Sequence, residues 1–295
     1  MDLASLRAFV EVAKEGSFSQ AAETLFLTQP AISKRIAALE EDLATRLFDR
    51  AGRQVLLTEA GRHLLPRAER IIHEMTDIRR ELSNLSGEVA GRLAMATSHH
   101  IGLHRLPLML RTYSDRYPKV ELDIRFMESE KACQAVEHGE LELAVVTLPL
   151  ESAPPLKTQK IWSDALVTVV GQDHPLAHKN QASLDELLSY PAVLPTRGTY
   201  TRTLLEQRID RLHRQVNCTL STDYLETLKM MASIGLGWSL LPEIMLDEHL
   251  ISLKVPELDL CRTLGIVTHR RRTLSNAGAA MRMLLLEGRN WTTPP

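Results

Sequence analysis

Gly16-Ser17-Phe18-Ser19-Gln20-Ala21-Ala22, followed after Leu25 by Thr28-Gln29-Pro30-Ala31-Ile32-Ser33-Lys34-Arg35-Ile36, is the stretch on which the fold turns. It holds two helix starts. Ser17 with Gln20 three residues on has the pattern of a capping box, and Ala21, Ala22 and Leu25 then supply a small apolar face that a second helix can approach closely. Thr28 caps the next helix, whose first turn accommodates Pro30 because an amide there has no intrahelical partner to lose. Ile32, Ile36, Leu39 and Leu43 recur at helical spacing and predict a buried stripe, while Gln29, Ser33, Lys34 and Ala37 lie opposite. Upstream, Leu3, Leu6, Phe9, Val10 and Ala13 predict a first helix that stops at Gly16.

Downstream the period changes. Phe48 to Thr58 reads as a basic hairpin, with Arg50 and Arg53 around Gly52 and with Val55 and Leu57 alternating toward the core. Thr58 can cap a long helix in which Ala68, Ile71, Met75, Ile78, Leu82 and Leu85 recur at spacings of three and four. A helix of about thirty residues is about 45 Å long, and one with a single apolar stripe needs a partner, most simply its copy in a second subunit. Gly87 and Gly91 punctuate its end.

After Gly91 strands and helices alternate, which argues for α/β architecture. The strand candidates are Arg92 to Ala96, Val120 to Phe126, Leu143 to Thr147, Leu166 to Val170, Ala192 to Leu194, Val216 to Ser221, Trp238 to Leu241 and Leu264 to Thr268. Helices are expected at Leu106 to Arg116, Glu130 to His138, Thr201 to His213, Leu225 to Ile234 and Asn276 to Glu287. At 295 residues the chain is long enough for about two domains. Cys133, Cys218 and Cys261 are far apart and form no CxxC pair, so neither a disulfide framework nor a zinc ribbon is indicated, and a reducing cytoplasm fits. The N-terminus has no signal region and no apolar run approaches the about 20 residues that span a bilayer, so a cytoplasmic protein without membrane contact is expected.

The formal net charge of −2 gives no bulk sign of nucleic-acid binding, so any DNA contact must be local. A helix in the major groove reads base edges with groups that donate or accept hydrogen bonds, while neighbouring groups hold phosphates and set the register. The third helix has that composition. Gln29, Pro30, Ser33 and Lys34 lie at its N-terminal end, Ser19, Thr28 and Arg35 are placed for phosphates, and Arg50 and Arg53 for the backbone or minor groove. The alternative is that these are solvated polar positions of a small helical domain.

Residues 1 to 66 closely resemble the DNA-binding region of LysR-type transcriptional regulators. The resemblance is carried by Leu6-Arg7-Ala8-Phe9, by Gly16 to Ala22, Leu25, Thr28 to Ser33 and Ile36, by Leu39-Glu40, by Leu47-Phe48-Asp49-Arg50 and by Leu57-Thr58-Glu59-Ala60-Gly61. Tyr117-Pro118, Gly139-Glu140-Leu141-Glu142-Leu143-Ala144, and Gly235-Leu236-Gly237 with Leu241-Pro242 extend it into the family's effector domain. The resemblance implies three parts: a winged helix-turn-helix over 1–58, a dimerising linker helix over 59–90, and an effector-binding domain over 91–295. That last domain would be of the two-lobed, periplasmic-binding-protein-like type 2 α/β class. Lobe one would be about 92–162 plus 268–295, and lobe two about 163–267. It further implies duplex promoter or operator DNA as partner, self-association as dimer and tetramer, contact with RNA polymerase, and DNA binding or bending modulated by a small-molecule effector between the lobes.

In open α/β sheets ligands sit at the carboxyl ends of strands, beside helix N-termini. Those ends offer Ser98, His99 and His100; Glu128 and Ser129; Thr147; Thr196, Arg197, Thr199, Tyr200 and Thr201; and Thr222. By similarity Ser98 and His99 occupy the lobe-one position that often holds an effector carboxylate, and 196–201 is the facing loop. Arg197 could make a bidentate carboxylate contact or pair with Glu206. Glu128 could face the cleft, favouring an amine or hydroxyl, or serve its own helix N-terminus. Adjacent His99 and His100 point in different directions without an obvious second ligand nearby in sequence, so no metal and no other cofactor is expected. Trp238 reads as core. The chain contains no GxSxG elbow, no GxxxxGK[ST] loop and no HExxH, and Gly235-Leu236-Gly237 lacks the third glycine of a dinucleotide fingerprint, so no enzyme activity is expected. The effector's identity, the regulated genes and the direction of regulation are not written in these residues.

Overall fold

The computed structural model describes residues 1–51, 54–151 and 153–288, the side chains of 50, 51 and 54 excepted. The chain divides into two compact units, 1–85 and 86–295. In the first, Asp2 accepts a hydrogen bond from the Ser5 amide and starts α1 (Leu3–Glu15), which ends where Gly16 turns left-handed. Ser17 starts α2 (Phe18–Thr24) by accepting from the Gln20 amide, and Thr28 starts α3 (Gln29–Asp42) by accepting from Ala31. The antiparallel pair β1 (Phe48–Ala51) and β2 (Gln54–Leu57) follows, then α4 (Glu59–Asn84), capped by Thr58.

Phe9, Phe18, Ala21, Ile32, Ile36, Leu39 and Phe48 fill one core between these elements. Each fully buried Ile, Leu or Phe contributes about 1.5–3 kcal/mol of transfer free energy. Ala68 belongs to this core and is fully buried, so it is not part of the seam expected along α4. The apolar stripe that remains exposed on α4 begins at Ile71 and continues through Met75, Ile78, Leu82 and Leu85.

The second unit opens with β3 (Gly91–Thr97), α5 (His99–His104), α6 (Pro107–Arg116), β4 (Val120–Phe126), α7 (Ser129–His138) and β5 (Leu143–Thr147). It continues with β6 (Leu156–Gly171), α8 (Leu184–Leu188), β7 (Ala192–Leu194), α9 (Tyr200–Arg211), β8 (Cys218–Ser221) and α10 (Leu225–Ser233). It ends with β9 (Ser239–Pro242), β10 (Leu250–Leu253), β11 (Leu260–His269) and α11 (Asn276–Glu287). The large sheet runs β10-β6-β11-β5-β3-β4, with β9 also on β6, and β7 pairs with β8 separately.

The sixteen-residue β6 and the antiparallel β11 are common to both lobes. Ile161, Trp162, Leu264 and Ile266 pack into the core under β3, β5 and α11, whereas Leu166 and Leu260 pack with Trp238, Leu205 and Leu253. The chain therefore passes between lobes on β6 near 163–165 and on β11 between Leu260 and Leu264. This corrects the expected second boundary at 267/268, because Leu264 and Ile266 face the first core. β6 also starts ten residues before the expected Leu166; its first half carries four consecutive polar residues, Lys157-Thr158-Gln159-Lys160, and lacks the continuous apolar run that marks the second half. The strand β10 and the helices α5 and α8 have no counterpart among the expected elements. Among the described residues no helix is long and apolar enough to cross a membrane.

Candidate functional site

On the first unit, α3 presents a polar face in its first two turns. Gln29 Nε2 donates to Ser33 Oγ at 3.0 Å, one helical turn on, so the two polar groups are held side by side. Ser19, Thr28, Gln29, Pro30 and Lys34 are exposed, and Ser33 and Arg35 are half-buried. Glu40, on the same helix, accepts from the amides of Leu47 at 2.7 Å and Phe48 at 3.3 Å, which fixes where the hairpin leaves the helix. Gly61 lets α4 cross this junction: a Cβ there would lie 2.3 Å from the Leu47 carbonyl oxygen. Arg50 pairs with Val55 in the hairpin ladder, but its side chain, like all of Arg53, lies outside the described residues.

In the second unit a cavity of about 470 Å³ opens between the lobes, within the 300–1,000 Å³ range of small-molecule sites. Its floor follows from the strand crossing. Arg262 on β11 stands directly opposite Asp164 on β6, and its Nε donates to Asp164 Oδ2 at 2.8 Å with both side chains buried. Nη1 of Arg262 donates to Thr201 Oγ1 at 2.9 Å, at the N-terminus of α9. Its Nη2 is buried without a hydrogen-bond partner, and Arg262 lines the cavity. Arg105 adds a second cation to Asp164 at 3.3 Å.

Glu128, Glu130 and Asp223 are the carboxylates that line the cavity, and the first two are engaged. Glu128 pairs with Lys131 at 2.9 Å, and that hydrogen bond holds its carboxyl below the usual range. Glu130, on α7 of the first lobe, accepts from the Tyr200 amide at 2.5 Å on the second lobe; burial nevertheless raises its pKa. Tyr200 is also hydrogen-bonded to Cys133, and burial pushes that thiol up to about 11. His100 is buried, and its imidazole is held down to about 2, by burial first and by the Arg262 cation second.

Of the residues expected here, Ser98, His99, His100, Glu128, Ser129, Thr147, Thr199, Tyr200 and Thr201 line this cavity. Ser129 Oγ accepts from the Thr147 amide at 3.2 Å, and His99 stacks edge-on against Tyr224 with ring centroids 5.7 Å apart. Thr196, Arg197 and Thr222 do not line it. Arg197 is 83% exposed and turns outward to Glu206, 3.7 Å away. The Thr196 carbonyl accepts from Thr199 Oγ1, closing the loop on itself, and Thr222 Oγ1 accepts from the Tyr224 amide. Glu128 stands at the N-cap position of α7, with no cap hydrogen bond from its side chain. Trp238 is fully buried in the second-lobe core.

Residues 3–62 match the bacterial regulatory helix-turn-helix protein, lysR family, and residues 86–289 match the LysR substrate binding domain. The chain is a LysR-type transcriptional regulator. Over 107 residues, 36% of the regulator, it is 70% identical to an uncharacterized HTH-type transcriptional regulator from the ibpB-leuC intergenic region of Azotobacter vinelandii, covering 74% of that protein. It is 31% identical to the HTH-type transcriptional regulator BbuR of Bordetella bronchiseptica, over 92% of this chain and 85% of that one. A full-length OxyR variant from Pseudomonas aeruginosa shares the fold, with a TM-score of 0.69 at 22% identity over 99% of this chain and 96% of the other. The regulator's helix-turn-helix is thus a DNA-binding head, and its second unit is an effector-binding domain.

Arg262 and Glu130 are cavity residues of the regulator that sequence reasoning missed. Glu130 directly follows the strand-end pair Glu128 and Ser129 and reads from the sequence as the first residue of the next helix. Arg262 lies inside a strand whose expected start, Leu264, falls two residues after it, and its only signal was an arginine at a buried alternate position.

Proposed function

We propose that this regulator reads promoter or operator DNA with the Gln29, Ser33 and Lys34 face of α3, with Ser19, Thr28, Pro30 and Arg35 at the phosphates beside it. Two copies join along the α4 stripe, which leaves Ile78 43% and Leu82 64% exposed in one chain. Pairs of such dimers on spaced sites, contact with RNA polymerase and work in the cytoplasm are the parts of this reading inherited from the family resemblance.

The cleft takes a small organic acid. The observation that carries this is the Arg262 guanidinium: buried, lining the cavity, and with one N–H group unbonded. A buried donor left unmet costs about 1–3 kcal/mol, which an incoming carboxylate recovers with a charge-assisted bond. Glu128 and Glu130 do not oppose such a ligand as bare carboxylates would, since Lys131 and the Tyr200 amide hold them.

A thermal-shift screen of small mono- and dicarboxylic acids against the purified protein, with the matching amides and amines as controls, tests this. At least one acid is expected to raise the melting temperature where its amide does not, and Arg262→Lys is expected to reduce that shift while keeping the charge. A shift produced by amines alone, or one unchanged in Arg262→Lys, would overturn the carboxylate reading.

A further inference from the structure

A group of metal-ligating side chains stands at the edge of the cleft, with His100 among the lining residues and His104 and Glu226 outside them. His100 and His104 are one turn apart on α5 and so leave the helix on one side, with ring centroids 4.9 Å apart. Glu226, in the first turn of α10 on the other lobe, meets them: its Oε1 lies 3.5 Å from His104 Nε2 and its Oε2 3.8 Å from His99 Nδ1. One ligand atom each from His100, His104 and Glu226 lies within 4.8 Å of the other two.

Two of these groups, His100 and the Glu226 carboxylate, are costly as they stand. His100 is 4% exposed and neither ring nitrogen has a hydrogen-bond partner, and both Glu226 carboxylate oxygens are buried without one. A buried carboxylate and a buried imidazole each lose hydration that only a bound partner restores. A proton shared between His104 and Glu226 would serve that pair and leave His100 unmet. One cation at the centre serves all three.

We propose that His100, His104 and Glu226 bind a divalent transition-metal ion of the zinc class, joining α5 of the first lobe to α10 of the second. Two imidazole nitrogens with one carboxylate oxygen suit zinc and its neighbours, whereas calcium and magnesium take all-oxygen sets. Ligands held about 2.0–2.1 Å from a tetrahedral ion stand about 3.3 Å from one another, so the His104–Glu226 spacing is already near that value. The remaining closure, up to about 1.5 Å, is within reach of side-chain rotation. A pair of histidines four apart on a helix is a spacing that places two rings on one ion. Three protein ligands leave a fourth position for water.

The test is a Co2+ titration of the full-length protein after treatment with chelator, read by visible absorption and by the metal-dependent shift in melting temperature. One Co2+ per chain is expected, with the strong visible bands of a four-coordinate site, bleached on adding Zn2+. Glu226→Gln and His104→Asn should each weaken Co2+ by more than the about 10–100-fold typical of losing an outer-shell group. Both should still bind the cleft ligand, and Arg262→Lys should still bind Co2+, which separates this site from the organic-acid reading. Glu226→Gln removes the charge from a carboxylate whose oxygens are out of solvent without a hydrogen bond, so without metal it should melt at or above wild type. The exposed-histidine control His249→Asn should leave the titration unchanged. Co2+ binding of equal strength in wild type and Glu226→Gln, weak six-coordinate bands, or a melting temperature that metal does not move would each overturn the proposal.

Discussion

Replacing Arg262 by Met removes the cation that bonds directly across the β6–β11 ladder to Asp164. Asp164 is 2% exposed and loses its 2.8 Å partner, keeping Arg105 at 3.3 Å from its other oxygen. Breaking a buried ion pair from one side costs about 3–5 kcal/mol because the remaining charge is uncompensated. The surviving Arg105 contact puts the expected loss at the lower end, about 3 kcal/mol. For a domain of about 150–250 residues that is roughly 6–12 °C of melting temperature. Urea and thermal unfolding followed by circular dichroism measure it. The double variant Arg262→Met/Asp164→Asn removes the stranded charge and should recover all but about 1 kcal/mol, because replacing both partners is far less costly than removing one. A single variant within about 0.5 kcal/mol of wild type, or a double variant as unstable as the single, would refute the argument that this pair is desolvated and mutually dependent.

Gly61→Ala should destabilise the head by about 1–3 kcal/mol, since the added methyl meets the Leu47 backbone and Leu57 Cδ2 at 2.8 Å; unchanged melting would show that the hairpin moves freely away from α4. Ile78→Asp, placing a carboxylate in the exposed α4 stripe, should convert a dimer to monomers by light scattering, and an unchanged mass would remove α4 as the joint. His174 is buried, accepts from the Leu176 amide at 3.1 Å, and has its pKa lowered by burial. The unfolded chain therefore binds a proton that the folded chain refuses, so stability is present above the unfolded value of about 6.5 and falls as pH drops below it. Urea unfolding at about pH 7.5 and about pH 5.5 should show a smaller loss for His174→Asn than for wild type, and equal losses would count against it.

The head was legible because its signals are local. Caps at Ser17, Thr28 and Thr58 and the stripe of Ile32, Ile36 and Leu39 each act within one or two helical turns, and sequence spacing reports such contacts directly. Ala68 misled because a buried alanine has the same period in a seam as in a core. The second unit was legible in class and less so in detail. Short strands rich in Val and Leu stood out, but the first half of β6 depends on pairing with β11 about a hundred residues away, which no local pattern carries. The cleft was half legible: strand ends marked Ser98, Thr147 and Thr201, whereas Arg262 became a cavity residue only through cross-strand pairing. Arg197 misled by its position in the right loop, since chain direction and not loop membership decides where a side chain points. For the histidines, adjacency drew the comparison to His99 and His100, while the pair that meets is His100 with His104 on a short helix, joined by Glu226 from the far lobe.

The most direct test of base reading by α3 is fluorescence anisotropy of wild type and Ser33→Ala on the duplex upstream of the protein's own gene, against a scrambled duplex at the same salt concentration. Wild type should prefer the native duplex, and Ser33→Ala should lose about tenfold of that preference while binding the scrambled duplex as before, because base contacts specify and phosphate contacts do not. Equal weakening on both duplexes, or a preference that survives the substitution intact, would contradict the claim that the α3 face reads bases.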